Sequence, residues 1–586
     1  MAAGTGLEFV ADDGPGPVPE RVSAALEPAY TVVQEATQRT RQVWLDTFDW
    51  RLHAAGLALR QVTAPPCAQL VLTSHAGEPL LAGALPRAIR WPGGLPVLPD
   101  GPLRDRLAPV LDVRALLPQA RTMSVQTTLR VLDGELKTVA RITVESAALA
   151  QPRTARPGTG QSGKGQPGAA PPRKTPPRTA HSRTAQPGTA PPATGPLPSR
   201  LLVVPVRGYI PAARRAAQLL ATADGFTAAS EPILATVLTA AGRTPGDYTG
   251  AVDVVLRPAT PAREAVAAVL LQLAGTIEAN VGYVLRDVDT EFLHDLRVAV
   301  RRTRSALKLA GDVLPAGTAD RFAPEFKWLG DLTTPIRDLD VYLSGFGEMS
   351  ARLHAAAPGD LEPFHGYLAA RRAAERRKLA RGLRSARFTE LMADWRAALE
   401  KAAAPGPARV GRLRIANLAA DRIAMAYQRV AKRGKAITTS ADAAVPPADD
   451  VHALRKRGKE LRYLLEFFGS LYEPAALRRA VKDLRALQDY LGDFQDAEVQ
   501  RNVIREFAVW AVDRHGRETR ARATRGASAR RAGGELAGTL LALGELTGGL
   551  QVEQDRARAE VAGRFAGFAR AGLLGTLGIP PRGGRS

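Results

Sequence analysis

The stretch that decides the fold is HDLRVAVRRTRSAL at residues 294–307, because it returns in the same register as HALRKRGKELRYLL at residues 452–465. A constant shift of 158 positions relates the two copies. The equivalent pairs are His294 and His452, Arg297 and Arg455, Arg301 and Lys459, and Arg304 and Arg462. The match continues without a gap to residues 336–338 and 494–496. Such self-similarity predicts a duplicated helical unit folded as a pseudo-symmetric pair.

One face of each repeated helix is basic. Positions i, i+3, i+7 and i+10 share a side of an α-helix, so the four residues of each copy form one stripe. The opposite side carries apolar residues, which are Leu296, Val300 and Leu307 in the first copy and Leu454, Leu461 and Leu465 in the second. Each helix is therefore predicted to face the core with one side and to present cations with the other.

A basic stripe has two interpretations. The common one is a solvated surface. However, like charges spaced three or four residues apart cost a helix about 0.2–0.5 kcal/mol per pair. Among the arginines and the lysine of these stripes, only Arg462 has an acid, Glu466, at a neighbouring helical position. A row that keeps this cost in both copies indicates an external polyanion.

The two histidines are either packed or capping residues, or ligand contacts whose charged form an anion would favour. Metal ligation is disfavoured, since the sequence has no HExxH motif, no second His three or four residues away and no Cys cluster. Asp338 and Asp496 resemble catalytic acids, but their equivalent placement favours helix capping or pairing with a basic neighbour. We predict no catalytic residue and no metal ligand.

These residues resemble the CHAD family, the conserved-histidine α-helical domain. Its pattern is a His followed by basic residues on a helix and then an LG-x-x-RD-like turn, present twice; here the turn segments are TTPIRD and LGDFQD. The resemblance covers about residue 257 to the C-terminus and implies an all-α, non-catalytic domain of two bundles that binds inorganic polyphosphate. Carried over by position, the binding surface comprises His294, Arg297, Arg301, Arg302, Arg304, Lys327, Arg337, His452, Arg455, Lys456, Lys459, Arg462, Lys482 and Arg485.

Composition limits the function classes. A net charge of +22 over 586 residues points to polyanions, namely nucleic acid, polyphosphate or an anionic membrane. The single Cys67 excludes an intrachain disulfide framework. With no signal-like segment and no run of about 18 apolar residues, we expect a soluble cytoplasmic protein without a membrane partner, the alternative being association with polyphosphate granules.

The N-terminal part favours strands. Residues 69–73, 123–131 and 137–144 are short apolar runs, and Asp133-Gly134 joins the last two as a turn. This predicts a hairpin on which Arg130, Lys137 and Arg141 either line one binding face or are simply solvated.

The segment WLDTFDWRLHAAGLALR at residues 44–60 resembles the CYTH family of triphosphate-tunnel proteins, in which YxDTxDxxLxxxGxxLR follows the first strand. Residues 204–220 and 240–250 are similar to the end of that module. The family opens on an E-x-E-x-K strand that holds a divalent metal and the triphosphate, whereas LEFVADD at residues 7–13 offers Glu8 alone and no Lys. Metal-assisted hydrolysis needs several converging carboxylates, and Asp133 and Glu145 supply too few. The resemblance therefore implies a degenerate tunnel domain in which Arg41, Arg60, Arg130 and Arg141 could still hold phosphates.

The predicted fold class is α+β multidomain: an N-terminal antiparallel β tunnel or barrel-like domain at residues 1–252, then an all-α domain of two pseudo-symmetric helical bundles at 257–580, with halves at about 257–440 and 447–580. The insertion at 151–200 has twelve Pro, eight Lys or Arg and no acid, which is typical of disorder. The predicted helices are residues 261–285, 321–343, 361–383, 412–432, 474–490, 493–512, 534–550 and 552–574 in addition to the repeated pair.

The function predicted from the sequence is non-catalytic binding of inorganic polyphosphate by the duplicated basic helices, with an affinity that falls with salt. One alternative is a triphosphatase or polyphosphatase in the tunnel-like half, which would need Mg or Mn as its cofactor. The other is a general polyanion- or nucleic-acid-binding protein. It is less favoured because aromatic residues, 5% of the chain, are not interleaved with the basic stripes as stacking platforms. The sequence leaves the oligomeric state open.

Overall fold

A computed structural model describes residues 7–150, 195–404, 413–439, 446–523 and 530–580. The chain divides into two compact units, Met1–Tyr248 and Thr249–Ser586. The first is built on a β-sheet and the second on helices, which confirms the predicted α+β class. The expectation of disorder at 151–200 falls, as far as residue 194, outside the described residues.

The N-terminal unit is a ten-stranded antiparallel sheet with helices packed against both of its faces. Its strands are β1 Leu7–Ala11, β2 Thr31–Gln34, β3 Gln38–Asp46, β4 Leu57–Ala64, β5 Cys67–Ser74, β6 Pro79–Leu85, β7 Leu117–Leu132, β8 Thr138–Leu149, β9 Ser199–Pro205 and β10 Phe226–Ala228. Its helices are α1 Val18–Leu26, α2 Arg51–Ala54, α3 Pro102–Leu111, α4 Ile210–Thr222 and α5 Ile233–Ala240. The strand order is β10-β1-β9-β8-β7-β3-β4-β5-β6, with β2 paired to β7.

The two faces of this sheet differ because strand side chains alternate in direction. The outer face is apolar: Ile142 and Val203 pack under α1 and α4, and Val43 and Leu59 pack under α3. The inner face is polar, with Thr40, Gln42, Thr122 and Ser124 all buried. The charge of Glu8 on β1 acts on Arg60 of β4, although five strand steps, ~24 Å in a flat sheet, separate them. The sheet therefore curls around its polar face, as a tunnel-like domain requires.

The predicted hairpin is β7 and β8. Arg130 lies directly opposite Arg141, so these two share the inner face with Arg60. Lys137 belongs to the turn, where it pairs with Glu135. Arg41 faces the other way, because its cross-strand neighbours are Thr63 and Met123 of the outer face. Grouping Arg41 with the other three arginines was therefore wrong.

The segment at residues 44–60 forms the connection between β3 and β4. The carboxylate of Asp46 accepts hydrogen bonds from the backbone N–H groups of Thr47, Leu52 and His53 at 2.7–2.9 Å. Burial raises the pKa of Asp46 to about 6, against the lowering effect of these bonds. Trp50 donates to Asp247 at 2.8 Å, so the two segments that resemble the tunnel family contact one another. In this chain Asp46 and Asp247 of these segments hold the connection between β3 and β4 in place.

The helical unit contains two equivalent copies of its central helix. Its helices are α6 Ala262–Arg286, α7 Thr290–Ala310, α8 Thr318–Ser344, α9 Phe346–Ser350, α10 Glu362–Leu383, α11 Ala386–Ala403, α12 Ile415–Thr439, α13 Ala448–Phe468, α14 Pro474–Ala523, α15 Arg530–Arg570 and α16 Leu573–Thr576. A shift of 158 carries α7 onto α13 at both ends, and the 3-10 turn Gly311–Val313 onto Gly469–Leu471. In the first half α7 packs against α6 and α8, and in the second α13 packs against α12 and α14.

Helix boundaries outside the repeated pair correct several expectations. TTPIRD and LGDFQD lie inside α8 and α14, so the expected turns were wrong. Helices α14 and α15 are each continuous where two helices were predicted. Gly492 costs a helix about 1 kcal/mol, but its neighbours Leu491 and Phe494 are fully buried, and that packing offsets the cost. The halves were expected to divide between residues 440 and 447; α12 extends to Thr439, α13 begins at Ala448, and residues 440–445 lie outside the described residues.

Helix α6 is the apolar centre of the first half. By length and composition alone it could cross a membrane, with a mean hydropathy of 1.4 over its most apolar window, and 61% of that window is buried inside the unit. Leu270, Leu273 and Ile277 are at most 2% exposed. Core helices of soluble proteins meet the same criterion.

Candidate functional site

Helices α7 and α13 meet through a reciprocal pair of ion bonds. Arg302 of α7 bonds Glu466 of α13 at 2.8 Å, and Lys308 of α7 bonds Glu460 of α13 at 2.6 Å. Under the shift of 158, Glu460 is the equivalent of Arg302 and Glu466 is the equivalent of Lys308. A contact in which i meets j, and the equivalent of j meets the equivalent of i, is the pattern of a two-fold interface. The two copies therefore face each other across a pseudo-two-fold axis.

Four cations of the two stripes converge beside this contact: Arg297 and Arg301 from α7, and Arg455 and Lys459 from α13. We call them the cation cluster. Burial, followed by the charges of Arg455, Arg301 and Arg297, lowers the pKa of Lys459 to about 8, despite the opposing effect of Asp496. Burial, together with the charge of Arg301, also lowers the pKa of Arg455. Each copy's cations thus act on those of the other.

Two aspartates accompany the cluster in equivalent places. Arg297 Nη2 is 3.6 Å from Asp338 Oδ1, and Arg455 Nη2 is 3.6 Å from Asp496 Oδ1. Burial raises the pKa of Asp338, and the negative charge of Asp496 raises it further. The prediction that these aspartates pair with basic neighbours is confirmed, while helix capping was wrong because both lie inside helices. Both ion pairs are long. When Lys459 is protonated, the four cations and the two aspartates together carry a net charge of +2.

The guanidinium groups of the cluster have unused hydrogen-bonding capacity. The Nε atoms of Arg301 and Arg455 are buried and have no hydrogen-bond partner among the described residues. Arg301 lies over the ring of Tyr463, 5.7 Å from its centroid, where a cation–π contact holds it. A buried donor without a partner costs about 1–3 kcal/mol. An anionic ligand could supply the partner that the fold does not.

The ends of both rows contact the partner helices α8 and α14. His294 lies near Arg337, which pairs with Glu291 at 3.5 Å, and burial, then the charge of Arg337, lowers the pKa of His294. Arg304 lies over Gly330, because a Cβ at that glycine would be 2.9 Å from its Nη1. Its equivalent Arg462 reaches Gln488, the counterpart of Gly330, at 3.4 Å. The Arg304 and Arg462 ends of the rows are thus held at equivalent places, whereas His294 is half-buried and His452 is exposed.

Other residues of the proposed surface lie outside the cation cluster. Arg302 is bonded to Glu466 and to the carbonyl oxygen of Gly250, which gives it a structural role at the α7–α13 contact. Lys327 is exposed and pairs with Asp331 at 2.7 Å; it is eleven residues, ~16 Å along α8, from Asp338. The remaining members, His452, Lys456, Lys482 and Arg485, are exposed on α13 and α14.

Sequence analysis missed Tyr463, Glu460 and Glu466 as parts of this site. Tyr463 falls on Ser305 in the repeat, so comparing the two copies does not reveal it. The sequence does contain a signal for the two glutamates. Each stands at a position that is basic in the other copy, and a salt bridge across a pseudo-two-fold axis produces this pattern.

The inner face of the N-terminal sheet is a second polar concavity. Arg200 is bonded to Glu8 at 2.8 Å, to the carbonyl oxygen of Glu231 and to the hydroxyl of Thr236. Glu145 accepts from Gln42 at 2.6 Å. In the part of the chain that the structure describes, no three His, Cys, Asp or Glu residues are grouped as metal ligands. The acids of this face are instead bonded to their own neighbours.

Comparison with known proteins identifies the helical unit. Residues 268–505 match the CHAD domain family. The crystal structure of the CHAD domain from the plant Ricinus communis is 26% identical, covering 54% of this chain and 96% of that chain, with a TM-score of 0.42. PptA from Streptomyces chartreusis is 18% identical, covering 53% of this chain and 99% of that chain, with a TM-score of 0.35. No curated protein matches this chain.

Proposed function

Given the CHAD domain at residues 268–505, we propose that this protein binds inorganic polyphosphate through the cation cluster and its flanking basic residues, without catalysis by the helical unit. The observation that carries the proposal is that Arg297 and Arg301 of one copy face Arg455 and Lys459 of the other, so that their like charges lower the pKa of Lys459. Such an arrangement is unfavourable in the free protein, and a polyanion would relieve it.

A phosphate chain suits the donors of the cluster. Arginine forks bind phosphate oxygens with two parallel hydrogen bonds, whereas a lysine acts as a point charge. Many such contacts in series displace counterions from the polyanion, so affinity should fall steeply with salt. Within the described part of the chain, no aromatic ring other than that of Tyr463 lies against a cation of the cluster, and Tyr463 lies under Arg301 and is 6% exposed.

The pseudo-two-fold arrangement also favours polyphosphate over nucleic acid. A linear polyphosphate is the same from either end, so related cations on α7 and α13 can contact it equivalently. A nucleic acid strand has a direction and carries bases on one side, and it would present different groups to the two copies. The symmetry of the site therefore matches the symmetry of the polymer.

Titration of the full-length protein with long-chain polyphosphate and with single-stranded DNA of equal charge, at several salt concentrations, tests this proposal. We expect tighter binding of polyphosphate at every salt concentration, and a slope of log affinity against log salt of about 0.7 per phosphate contact. Equal affinity for the two polymers would contradict the assignment and favour a general polyanion-binding protein.

Hydrolysis in the N-terminal unit is the alternative that a specific observation supports, since Glu8 and Glu145 both act on Arg60 at the inner face. The test is phosphate release from tripolyphosphate with Mg²⁺ or Mn²⁺. We expect no turnover above buffer. Clear turnover that is lost in both Glu8→Gln and Glu145→Gln would replace the binding proposal with an enzymatic one.

A further inference from the structure

Lys459 has surroundings unlike those of an ordinary surface lysine. Arg455 precedes it by one turn of its own helix, and Arg301 of α7 lies over the ring of Tyr463, one turn after it. The charges of Arg297 and, in the opposite sense, of Asp496 also act on it. No ion pair or hydrogen bond of its ammonium group occurs among the described residues. Lys308 and Lys327, by contrast, are bonded to carboxylates at 2.6 and 2.7 Å. The ammonium group of Lys459 therefore lies among the three arginines of the cation cluster, with no carboxylate within 4.0 Å among the described residues.

We propose that Lys459 is a covalent modification site whose amine is acylated by small acyl phosphates, with the phosphate end of the reagent bound by Arg301 and Arg455. This rests on the proposed affinity of the cation cluster for phosphate. The site combines an amine nucleophile that is neutral for part of the time with adjacent guanidinium groups that can hold the leaving phosphate.

The step is an acyl transfer. The lone pair of Lys459 Nζ attacks the carbonyl carbon of the acyl phosphate, and a C–N bond forms. The bond between that carbon and the bridging oxygen then breaks, its electron pair leaves with inorganic phosphate, and the surplus proton on Nζ passes to solvent. The products are an amide and phosphate, and no oxidant or reductant is needed. Arg301 and Arg455 are positioned to stabilise the charge that develops on the departing phosphate.

The lowered pKa of Lys459 determines how much faster this residue should be acylated than an ordinary lysine. With a pKa of about 8, about a quarter of Lys459 is neutral at pH 7.5, against about one in a thousand for a lysine of pKa 10.4. If amine nucleophilicity falls with pKa as it does for thiols, roughly a tenth of that gain remains, which leaves an advantage of about tenfold. Acylation removes one of the four positive charges of the cluster, so it should also weaken polyphosphate binding.

The experiment treats the full-length protein with acetyl phosphate at pH 7.5 and follows each lysine by peptide mass spectrometry. We expect acetylation of Lys459 about tenfold faster than that of the exposed Lys327 and Lys482, and protection by polyphosphate. Phenyl acetate, a neutral reagent, reports the amine alone. The Arg301→Gln variant should slow the reaction with acetyl phosphate more than the reaction with phenyl acetate, and Lys459→Arg should lose the mark at this position only.

The outcomes separate this inference from the proposed function. Selective acetylation of Lys459 in a protein that fails to bind long polyphosphate would support the modification site and reject polyphosphate as its ligand. Normal polyphosphate binding with Lys459 no faster than Lys327 towards either reagent would overturn the modification site and leave the binding proposal intact.

Discussion

The cation cluster of the helical unit and the inner face of the sheet unit both bury arginines in polar surroundings, but they differ in how closely acids accompany them. In the sheet, Arg200 meets Glu8 at 2.8 Å and Arg130 meets Glu35 at 3.3 Å. In the cluster, the nearest acids are 3.6 Å from Arg297 and Arg455, and no ion pair within 4.0 Å involves Arg301 or Lys459 among the described residues. The distance to the neutralising carboxylate thus separates the cation cluster from Arg200 and Arg130. Arg60 on the same sheet face also has no ion pair within 4.0 Å among the described residues, but it donates a hydrogen bond to Gln42 at 3.3 Å.

If the unpaired cations Arg301 and Lys459 are the binding groups, removing their charges should weaken polyphosphate binding strongly. We expect Arg301→Gln combined with Lys459→Gln to weaken polyphosphate binding by at least about 100-fold at moderate salt, since two charge-assisted contacts of about 1.5–3 kcal/mol each are lost. The salt slope should fall by about 1.4. Titration at three salt concentrations measures both quantities.

The matched control for that variant is Arg321→Gln with Arg514→Gln. Both arginines are more than half exposed and pair with acids, and they lie 17 and 18 residues, ~26 Å along α8 and α14, from Asp338 and Asp496. A loss of affinity in the control as large as in the cluster variant would show that total charge, and not the cluster, sets the affinity.

Binding should depend on pH through Lys459. Its pKa in the free protein is about 8, and bound phosphate favours the charged form and raises that pKa. Below about pH 7 the lysine is charged with or without ligand and affinity is constant. Above pH 8 the complex takes up a proton, so affinity should fall by up to about tenfold per pH unit. Calorimetry between pH 7 and 9.5 measures the decline, and Lys459→Arg, which stays charged, should abolish it.

Removing the charges of the two aspartates beside the cluster should have the opposite effect on affinity. Because Asp338 and Asp496 oppose an incoming polyanion, Asp338→Asn with Asp496→Asn should tighten polyphosphate binding by about three- to tenfold. Asp331→Asn, on the exposed pair with Lys327, serves as the control and should change affinity by much less. Weaker binding in the double variant would mean that the aspartates mainly orient Arg297 and Arg455.

The smallest effect on affinity is expected in the sheet. Glu8→Gln leaves the buried Arg200, which is 7% exposed, without its charged partner, and this should destabilise the N-terminal unit by about 1–3 kcal/mol. Affinity for long polyphosphate should change less than twofold. Thermal unfolding and polyphosphate titration of the same variant check the two halves of the statement.

Much of the helical unit follows from the sequence. The shift of 158 between His294 and His452 predicts that α7 and α13 are equivalent, and their first and last residues are indeed related by this shift, because a repeat of core and surface positions leaves little freedom in the helix. The turns expected at TTPIRD and LGDFQD do not form, since local signals such as Pro335 and Gly492 are overridden when Ile336 and Phe494 become buried. Local propensity is a weak guide wherever packing decides.

The geometry of the candidate site is less accessible to sequence analysis. The stripe explains which residues share a face of one helix, and it cannot say which face of the partner that helix meets. The crossed pairs Arg302–Glu466 and Lys308–Glu460 set that orientation, and each involves residues more than 150 positions apart. Likewise, the strand pattern alone did not reveal that Arg41 faces away from Arg60, because a single register position decides the face.

The most direct test of the account is a crystal structure of the protein with a short polyphosphate of defined length. We expect one chain of phosphates crossing the pseudo-two-fold axis, with its oxygens within about 3.2 Å of Arg297 and Arg301 from α7 and of Arg455 and Lys459 from α13. A chain that contacts only one of the two helices, or that binds at the inner face of the sheet instead, would contradict the claim that the duplicated helices form a single site.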